Sequence, residues 1–236
     1  MTRLAKGRTT HLSKEEIVTA ALGLFDAGPD RMSYRNLAAE LGVTTAAIYH
    51  HFPSRFDLVM AVVDRVWHEA VAELQDDLGG LVDNHGDPEE FLVAGAVAVR
   101  RAFSRHWRVA PYVVANAGPA PRLAGALEMM AVALERLGLR GEDGAVAFYA
   151  VTNYTLGAVA VTAARRRVEE ELTSAQARAG YTAIERRPED APPPSPTTNP
   201  AIDSVFATVQ DPAAGQAHEE LFVAGLRYLM RGLRQR

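Results

Sequence analysis

Apolar side chains recur at helical spacing through almost all of this chain, and that pattern limits its fold class more than any other feature. In the first run, Ile17, Ala21 and Leu24 follow the i, i+4, i+7 spacing of one helical face. Ser13 precedes this run as a candidate N-cap, and Gly28 follows it as a stop. Because no segment shows the sustained alternation typical of a strand, the sequence predicts an all-α protein.

Capping and stop signals divide the chain into helices. Ser33 begins a second helix, which Gly42 closes. A third begins at Thr44 or Thr45 and ends before Pro53. The other helices are predicted over about 13–27, 55–76, 88–108, 122–138, 141–172 and 216–235.

Composition places the chain among cytoplasmic globular proteins. With 48% hydrophobic and 23% charged residues, its 236 residues can build one large core or two smaller ones. It has no cysteine, which excludes disulfides and thiolate metal sites. No run approaches the roughly 18 apolar residues that span a bilayer, so no membrane partner is expected. The net charge of −4 argues against a chain that coats nucleic acid everywhere, although its first residues are basic.

The short helices on either side of 41-LGVT-44 have the length and the central glycine of a helix-turn-helix motif. In that motif the second helix enters the DNA major groove. Ile48 and Phe52 are then expected to face inward against the first helix. The side chains expected to project outward are those of Thr45, Ala46, Tyr49 and His50.

Several polar residues around this motif suit DNA. Tyr49 and His51 offer hydrogen bonds to phosphate oxygens, and Arg35 could form a bidentate fork with guanine. Thr44, as an N-cap, could hold a phosphate at the helix terminus. Taken alone, a helix, a glycine turn and a helix also fit a packed corner that binds nothing.

The order of residues over 14–66 resembles the N-terminal domain of TetR-family transcriptional regulators along its full length. The stretch LAAELGVTTAAIYHHFPSRFDLV is similar to that family's most specific signature. The resemblance implies a DNA-binding domain over 1–54 and a ligand-binding and dimerisation domain over 55–236. The proline-rich tract 188–201 would be a flexible loop in the second domain. The basic arm before residue 12 either reaches the minor groove or is a disordered tail.

The same resemblance assigns roles within the motif. Arg35 and Thr45 would contact bases. The residues lining the base edges would be Ala46, Ala47 and His50. The phosphates would be positioned by Tyr34, Thr44, Tyr49, His51 and Arg55.

Two later stretches, 148-FYAVTNYTLGAVAV-161 and 221-LFVAGLRYLMRGLRQR-236, are similar to the eighth and last helices of the tetracycline repressor subfamily. Those helices pair with their symmetry mates in a four-helix interface, so the resemblance implies a homodimer. The expected apolar stripe comprises Phe222, Gly225, Leu226, Leu229 and Leu233, with Gly157 allowing close backbone approach. An ordinary core helix of a monomer is the alternative.

The resemblance stops at the drug-binding chemistry. The positions that hold magnesium in tetracycline repressors fall near Val113 and on Val161, which cannot ligate a hard cation. We therefore expect no metal, no cofactor and no tight tetracycline binding, and instead a small, largely apolar effector. The expected lining comprises Val99, Phe103, His106, Val113, Asn116, Tyr149, Asn153 and Val161, each of which also fits a role in the core.

These observations predict a ligand-responsive repressor that binds double-stranded operator DNA of palindromic sequence as a homodimer. An all-helical enzyme is one alternative, with His106 or Glu128 as its acid or base. A DNA-binding protein without an effector is the other. We do not predict catalysis, because the sequence contains no nucleophile elbow, phosphate loop or metal motif.

Overall fold

A computed structural model describes residues 12–28, 31–77, 86–115, 124–178 and 215–235. Within these ranges the chain is helical and contains no strand, which confirms the predicted fold class. The expected arm before residue 12, the expected effector contact Asn116 and the tract 188–201 lie outside the described residues. The helices are α1 (Lys14–Ala27), α2 (Tyr34–Leu41), α3 (Thr45–His51), α4 (Arg55–Asp77), α5 (Pro88–Arg105), α6 (Ala110–Ala115), α7 (Ala124–Arg136), α8 (Gly141–Arg178) and α9 (Gly215–Arg234).

Local capping chemistry explains why the predicted starts of the first helices are correct. The Ser13 hydroxyl accepts a hydrogen bond from the Glu16 amide at 3.1 Å, and the Glu16 carboxylate accepts one from the Ser13 amide at 2.8 Å. This reciprocal capping box satisfies two amides that the first turn leaves unpaired. Ser33 caps α2 in a similar way by accepting from the Asn36 amide at 3.2 Å.

Two boundaries differ from the sequence prediction. The helix expected over about 88–108 ends at Arg105, and after a turn the chain forms α6, which was not predicted. Six residues are too few to display a helical period, so α6 could not be predicted from apolar spacing. At the other end of the chain, α8 continues to Arg178 rather than ending near 172.

The described residues fall into two compact units. The first lies within Met1–Val82 and Ala98–Glu128. In it α1 packs against α2 and α4, α2 packs against α3, and α4 packs against α6. The side chains that this packing buries completely include Ile17, Leu37, Ile48, Leu58 and Val62. Burial of one such side chain stabilises the fold by about 1.5–3 kcal/mol relative to leaving it exposed.

The second unit lies within Asp83–Val97 and Met129–Arg236, and α8 and α9 pack against each other in it. Its core includes Phe222, Leu226 and Met230 from one face of α9. Phe222 and Leu226 were expected in a dimer interface, and this part of the prediction is wrong: Leu226 is 0% exposed within a single chain. Helical spacing identifies an apolar face but does not say which neighbour covers it.

Gly225 makes room for a close contact between α8 and α9. The Tyr154 ring stacks on Phe222 with centroids 5.2 Å apart, and its hydroxyl donates to the Phe222 carbonyl at 3.1 Å. A Cβ at position 225 would overlap the Tyr154 hydroxyl. The close approach expected at Gly225 therefore occurs inside the chain, whereas Gly157 is exposed and has open space above it.

Candidate DNA-binding surface and effector region

The turn between α2 and α3 is set by one left-handed residue. Gly42 has φ 66° and ψ 30°, a conformation that costs other L residues roughly 1 kcal/mol or more. Its amide and that of Val43 donate to carbonyls at the end of α2, with Val43 to Ala38 at 3.0 Å. The Thr44 hydroxyl then caps α3 by accepting from the Ala47 amide at 3.3 Å. This geometry confirms the predicted helix, turn and helix.

α3 separates its residues onto two faces as the sequence predicted. Ile48 is fully buried and Phe52, which follows the helix, is 5% exposed. These two side chains hold α3 against the rest of the first unit. The Lys14 ammonium lies 5.8 Å from the centre of the Phe52 ring. The opposite face is solvent-exposed and carries Thr45, Ala46, Tyr49 and His50. Ala47 and His51 are half-buried at the edge of this face.

Two arginines flank the exposed face of α3. Arg35 in the first turn of α2 and Arg55 at the start of α4 are both exposed. Neither forms an ion pair with any residue that the structure describes. Ser54 caps α4 beside Arg55 by accepting from the Asp57 amide at 3.1 Å. Unpaired guanidinium groups can bind phosphate or guanine without first breaking a contact within the protein.

The Tyr34 hydroxyl has partners within the protein that the family resemblance did not imply. The hydroxyl lies 3.0 Å from the Phe52 carbonyl oxygen and 2.8 Å from the Ser54 carbonyl oxygen, and it can donate to either of them. Partial burial raises the pKa of this phenol, so the hydroxyl keeps its proton. A phenol has one hydrogen to donate, and these carbonyls take it. The geometry therefore makes Tyr34 a tie between α2 and the joint of α3 with α4, rather than a donor to phosphate.

Part of the expected effector region lies in the first unit. Phe103 and Val113 are buried there, and Val99 is half-buried. Phe103 packs edge-on against Trp67 of α4, with ring centroids 5.1 Å apart. Tyr112 of α6 packs in a similar way against Phe25 of α1 at 5.8 Å. Aromatic contacts thus connect the end of α5 to α4, and α6 to α1, the two helices that precede and follow the helix-turn-helix motif in the chain.

His106 is already engaged by the protein on both ring nitrogens. Nδ1 lies 2.8 Å from a carboxylate oxygen of Asp26, and Nε2 lies 3.0 Å from one of Glu69. An effector could bond to this ring only by displacing one of them, so the expected role of His106 as an effector contact does not fit the geometry. Neither partner could be predicted from the sequence, because Asp26 and Glu69 lie 80 and 37 positions away along the chain.

The remaining expected effector contacts lie on an exposed face of α8 in the second unit. Tyr149 is 70% exposed and Val161 is 52% exposed. Asn153 is exposed between them, and its amide donates to the Tyr149 carbonyl at 2.8 Å. All three side chains are therefore exposed to solvent in the part of the chain that the structure describes. Their exposure does not fit an effector contact made by one chain alone.

Among the described residues, no group of three or more histidine and carboxylate side chains is placed to hold a metal ion. The two positions expected to replace the magnesium ligands differ in surroundings: Val113 is buried and Val161 is exposed. Neither side chain can donate an electron pair to a cation.

A recognition helix with two buried anchors, an exposed polar face and flanking unpaired arginines defines a helix-turn-helix DNA-binding protein. The family model of bacterial regulatory proteins of the tetR family matches residues 17–62. The model of the tetracyclin repressor-like C-terminal domain matches residues 82–236, which is more than half of the chain. The chain belongs to the TetR family of transcriptional regulators.

Individual relatives agree with this assignment. The class C tetracycline repressor protein of Escherichia coli is 26% identical over 227 residues, covering 94% of this chain and 90% of the repressor. The crystal structure of BioQ with its double-stranded DNA operator superposes with a TM-score of 0.54 at 27% identity, covering 69% of this chain and 94% of BioQ. ActR of Streptomyces coelicolor in complex with actinorhodin has a TM-score of 0.65 at 23% identity, covering 95% and 96% of the two chains.

Proposed function

We propose that this regulator is a repressor that binds a palindromic operator as a homodimer and is released by a small, largely apolar molecule. The observation that carries the proposal is the exposed face of α3, with Thr45, Ala46 and Tyr49 held outward by the burial of Ile48 and Phe52. The BioQ complex supports operator binding, since it contains double-stranded DNA. In this proposal residues 1–54 bind DNA and residues 55–236 bind the effector and dimerise.

The apolar surface of α8 supports a homodimer. By length and composition α8 is the one described helix that could cross a membrane. Its most apolar 18-residue stretch, within Gly141–Ser174, has a mean hydropathy of 1.3, and only 28% of that stretch is buried. Its exposed apolar side chains include Val146, Tyr149, Val161, Val168 and Leu172, which follow helical spacing along one face. α9 adds Leu221 and Tyr228 on the face opposite its buried core residues.

Such a face needs a cover, because monomeric proteins rarely expose large contiguous apolar patches. We propose that a second copy of the chain covers it and that the protein is cytoplasmic, with no membrane partner. A palindromic operator has two half-sites, and a symmetric dimer presents one recognition helix to each. The exposed positions of Gly157 and of Ala224 on α9 would allow the helices of the two copies to approach closely.

The effector is proposed to be apolar because the hard-cation ligands of a magnesium-tetracycline site are absent from Val113 and Val161. Binding of actinorhodin by ActR supports a small-molecule effector, since that chain shares this fold. Burying apolar ligand area contributes about 25 cal/mol per Å², so affinity should follow the area that the ligand buries. We propose regulation rather than catalysis, because the family consists of transcriptional regulators.

The test combines operator binding with the state of assembly. An operator selected from random DNA should be palindromic and should bind one dimer per site, as measured by fluorescence anisotropy and analytical ultracentrifugation. Thr45→Glu would place a negative charge at the start of the recognition helix and should abolish binding, whereas Glu40→Gln on α2 serves as a matched surface control. A selected sequence without two-fold symmetry, or a monomer bound at each site, would contradict the proposal.

A further inference from the structure

His106 joins three separate parts of the first unit. It lies in the turn that follows α5, Asp26 lies in the last turn of α1, and Glu69 lies in the middle of α4. The imidazole contacts both carboxylates, at 2.8 Å from Asp26 Oδ2 and 3.0 Å from Glu69 Oε2. The His106 side chain is 16% exposed, compared with 37% for Asp26 and 26% for Glu69, so the imidazole is the most buried member of the three. We call this arrangement the His106 bridge.

The geometry also defines the charge of the ring. An ionised carboxylate only accepts hydrogen bonds, so a ring that contacts two carboxylates must carry a hydrogen on both nitrogens. The imidazolium is the form that does so. In agreement, the hydrogen bond to Asp26 raises the pKa of His106, although partial burial opposes the shift. The bridge is therefore charge-assisted at both ends, and loss of one proton removes one of its two hydrogen bonds.

Two arginines also contact the Glu69 end of the bridge. On the α4 side, Glu69 also forms ion pairs with Arg65 at 3.2 Å and Arg105 at 4.0 Å, so its carboxylate stays paired if the contact with the imidazole is lost. Arg65 in turn reaches Glu15 of α1 at 3.5 Å. Arg105 also pairs with Glu73 of α4.

The α1 side depends more strongly on His106. Arg108 donates to the backbone carbonyl of Asp26 at 2.8 Å, and His106 is the side chain that bonds to the Asp26 carboxylate among the described residues. The proton on His106 consequently controls the tie to α1 more than the tie to α4.

We propose that His106 is a positioning residue for operator binding: it holds α1 and α4 in one arrangement relative to the end of α5. The inference rests on the proposed operator binding. α1 packs on α2 and α4, and α4 begins at Arg55, directly beside the recognition helix. A DNA-binding motif whose supporting helices are already held in place binds DNA without losing further conformational entropy. When only a fraction of molecules holds the competent arrangement, the apparent affinity falls by that fraction.

The experiment compares the wild-type chain with His106→Gln, which is similar in volume and hydrogen bonding but carries no charge. Operator affinity is measured by fluorescence anisotropy from pH 6 to pH 9 at constant ionic strength, together with random DNA of equal length. His50 and His51 lie on α3, but both proteins contain them, so the ratio of the two dissociation constants isolates His106. His68→Gln is the matched control, because His68 contacts only the Asp64 carbonyl of its own helix among the described residues.

At pH 6 the variant should bind the operator about three- to tenfold more weakly than the wild type, and the ratio should approach one as the pH rises to 9. The sign follows from the raised pKa: the bridge is complete below about pH 6.5, the ordinary value, and is lost as the pH passes the higher folded value. The His68 variant should match the wild type throughout. A ratio that stays constant across the pH range would overturn the proposal, since a static packing role has no such dependence.

The failure of this proposal can be told apart from failure of the proposed function. If the wild type binds no operator at any pH, both are rejected. If the wild type binds and the ratio is flat, only the positioning role is rejected. Imidazole ¹⁵N chemical shifts in the wild-type protein provide a second measurement: at pH 6 both nitrogens of His106 should be protonated, and a neutral ring at that pH would reject the bridge.

Discussion

Replacing Tyr34 by phenylalanine removes one hydroxyl and keeps the ring, whose centroid lies 4.4 Å from that of Tyr49. The hydroxyl has two carbonyl acceptors, at Phe52 and Ser54, but only one hydrogen to share between them. The expected loss is therefore that of a single hydrogen bond, about 0.5–1.5 kcal/mol in the free energy of unfolding. Because the Ser54 contact is exposed and water can replace it, we expect a value near the middle of that range, about 1 kcal/mol.

Urea unfolding followed by circular dichroism measures this loss, and anisotropy with operator and random DNA measures binding. Tyr49→Phe is the matched control, because Tyr49 is 53% exposed on α3. It should leave stability unchanged and weaken binding to both DNAs alike, as expected for a phosphate contact. If Tyr34→Phe instead leaves stability unchanged and weakens binding to both DNAs, its hydroxyl contacts phosphate and our assignment of Tyr34 is wrong.

Three further predictions concern the DNA, the dimer and the effector. Arg35→Ala should weaken operator binding by about 1–3 kcal/mol and relax specificity at one base pair, whereas Arg55→Ala should weaken all sequences alike and reduce the salt dependence, both read from anisotropy titrations. Tyr149→Glu should dissociate the dimer in ultracentrifugation without lowering monomer stability, while Leu226→Ala should lower the free energy of unfolding by about 2–5 kcal/mol; a stable Tyr149→Glu dimer would place the interface elsewhere. Tetracycline with magnesium should not release the operator at submicromolar concentration, and release by apolar compounds should be unaffected by EDTA.

Features that depend on neighbouring residues could be predicted from the sequence. The cap at Ser13, the glycine after α2 and the two faces of α3 follow from side-chain chemistry within a few positions. The residues of the candidate DNA-binding surface could therefore be predicted from the sequence, including the inward positions of Ile48 and Phe52.

Features that depend on distant contacts could not be predicted. The Tyr34 hydroxyl meets backbone 18 and 20 positions away, and His106 meets Asp26 80 positions away. No periodicity encodes such pairs. α9 shows a related difficulty, because it has apolar side chains on two faces and spacing alone does not say which face the chain buries.

The close contact of Gly225 with Tyr154 restricts the order in which these two positions can change. Gly225→Ala in the present background forces a methyl group onto the Tyr154 hydroxyl. Tyr154→Phe removes that oxygen and leaves ring carbon Cζ 3.1 Å from the new methyl group, a gap that a small shift of the ring can open. A substitution of Tyr154 that comes first therefore avoids the overlap, whereas a substitution of Gly225 that comes first produces a strained intermediate. The two positions should vary as a pair among relatives that keep this helix contact.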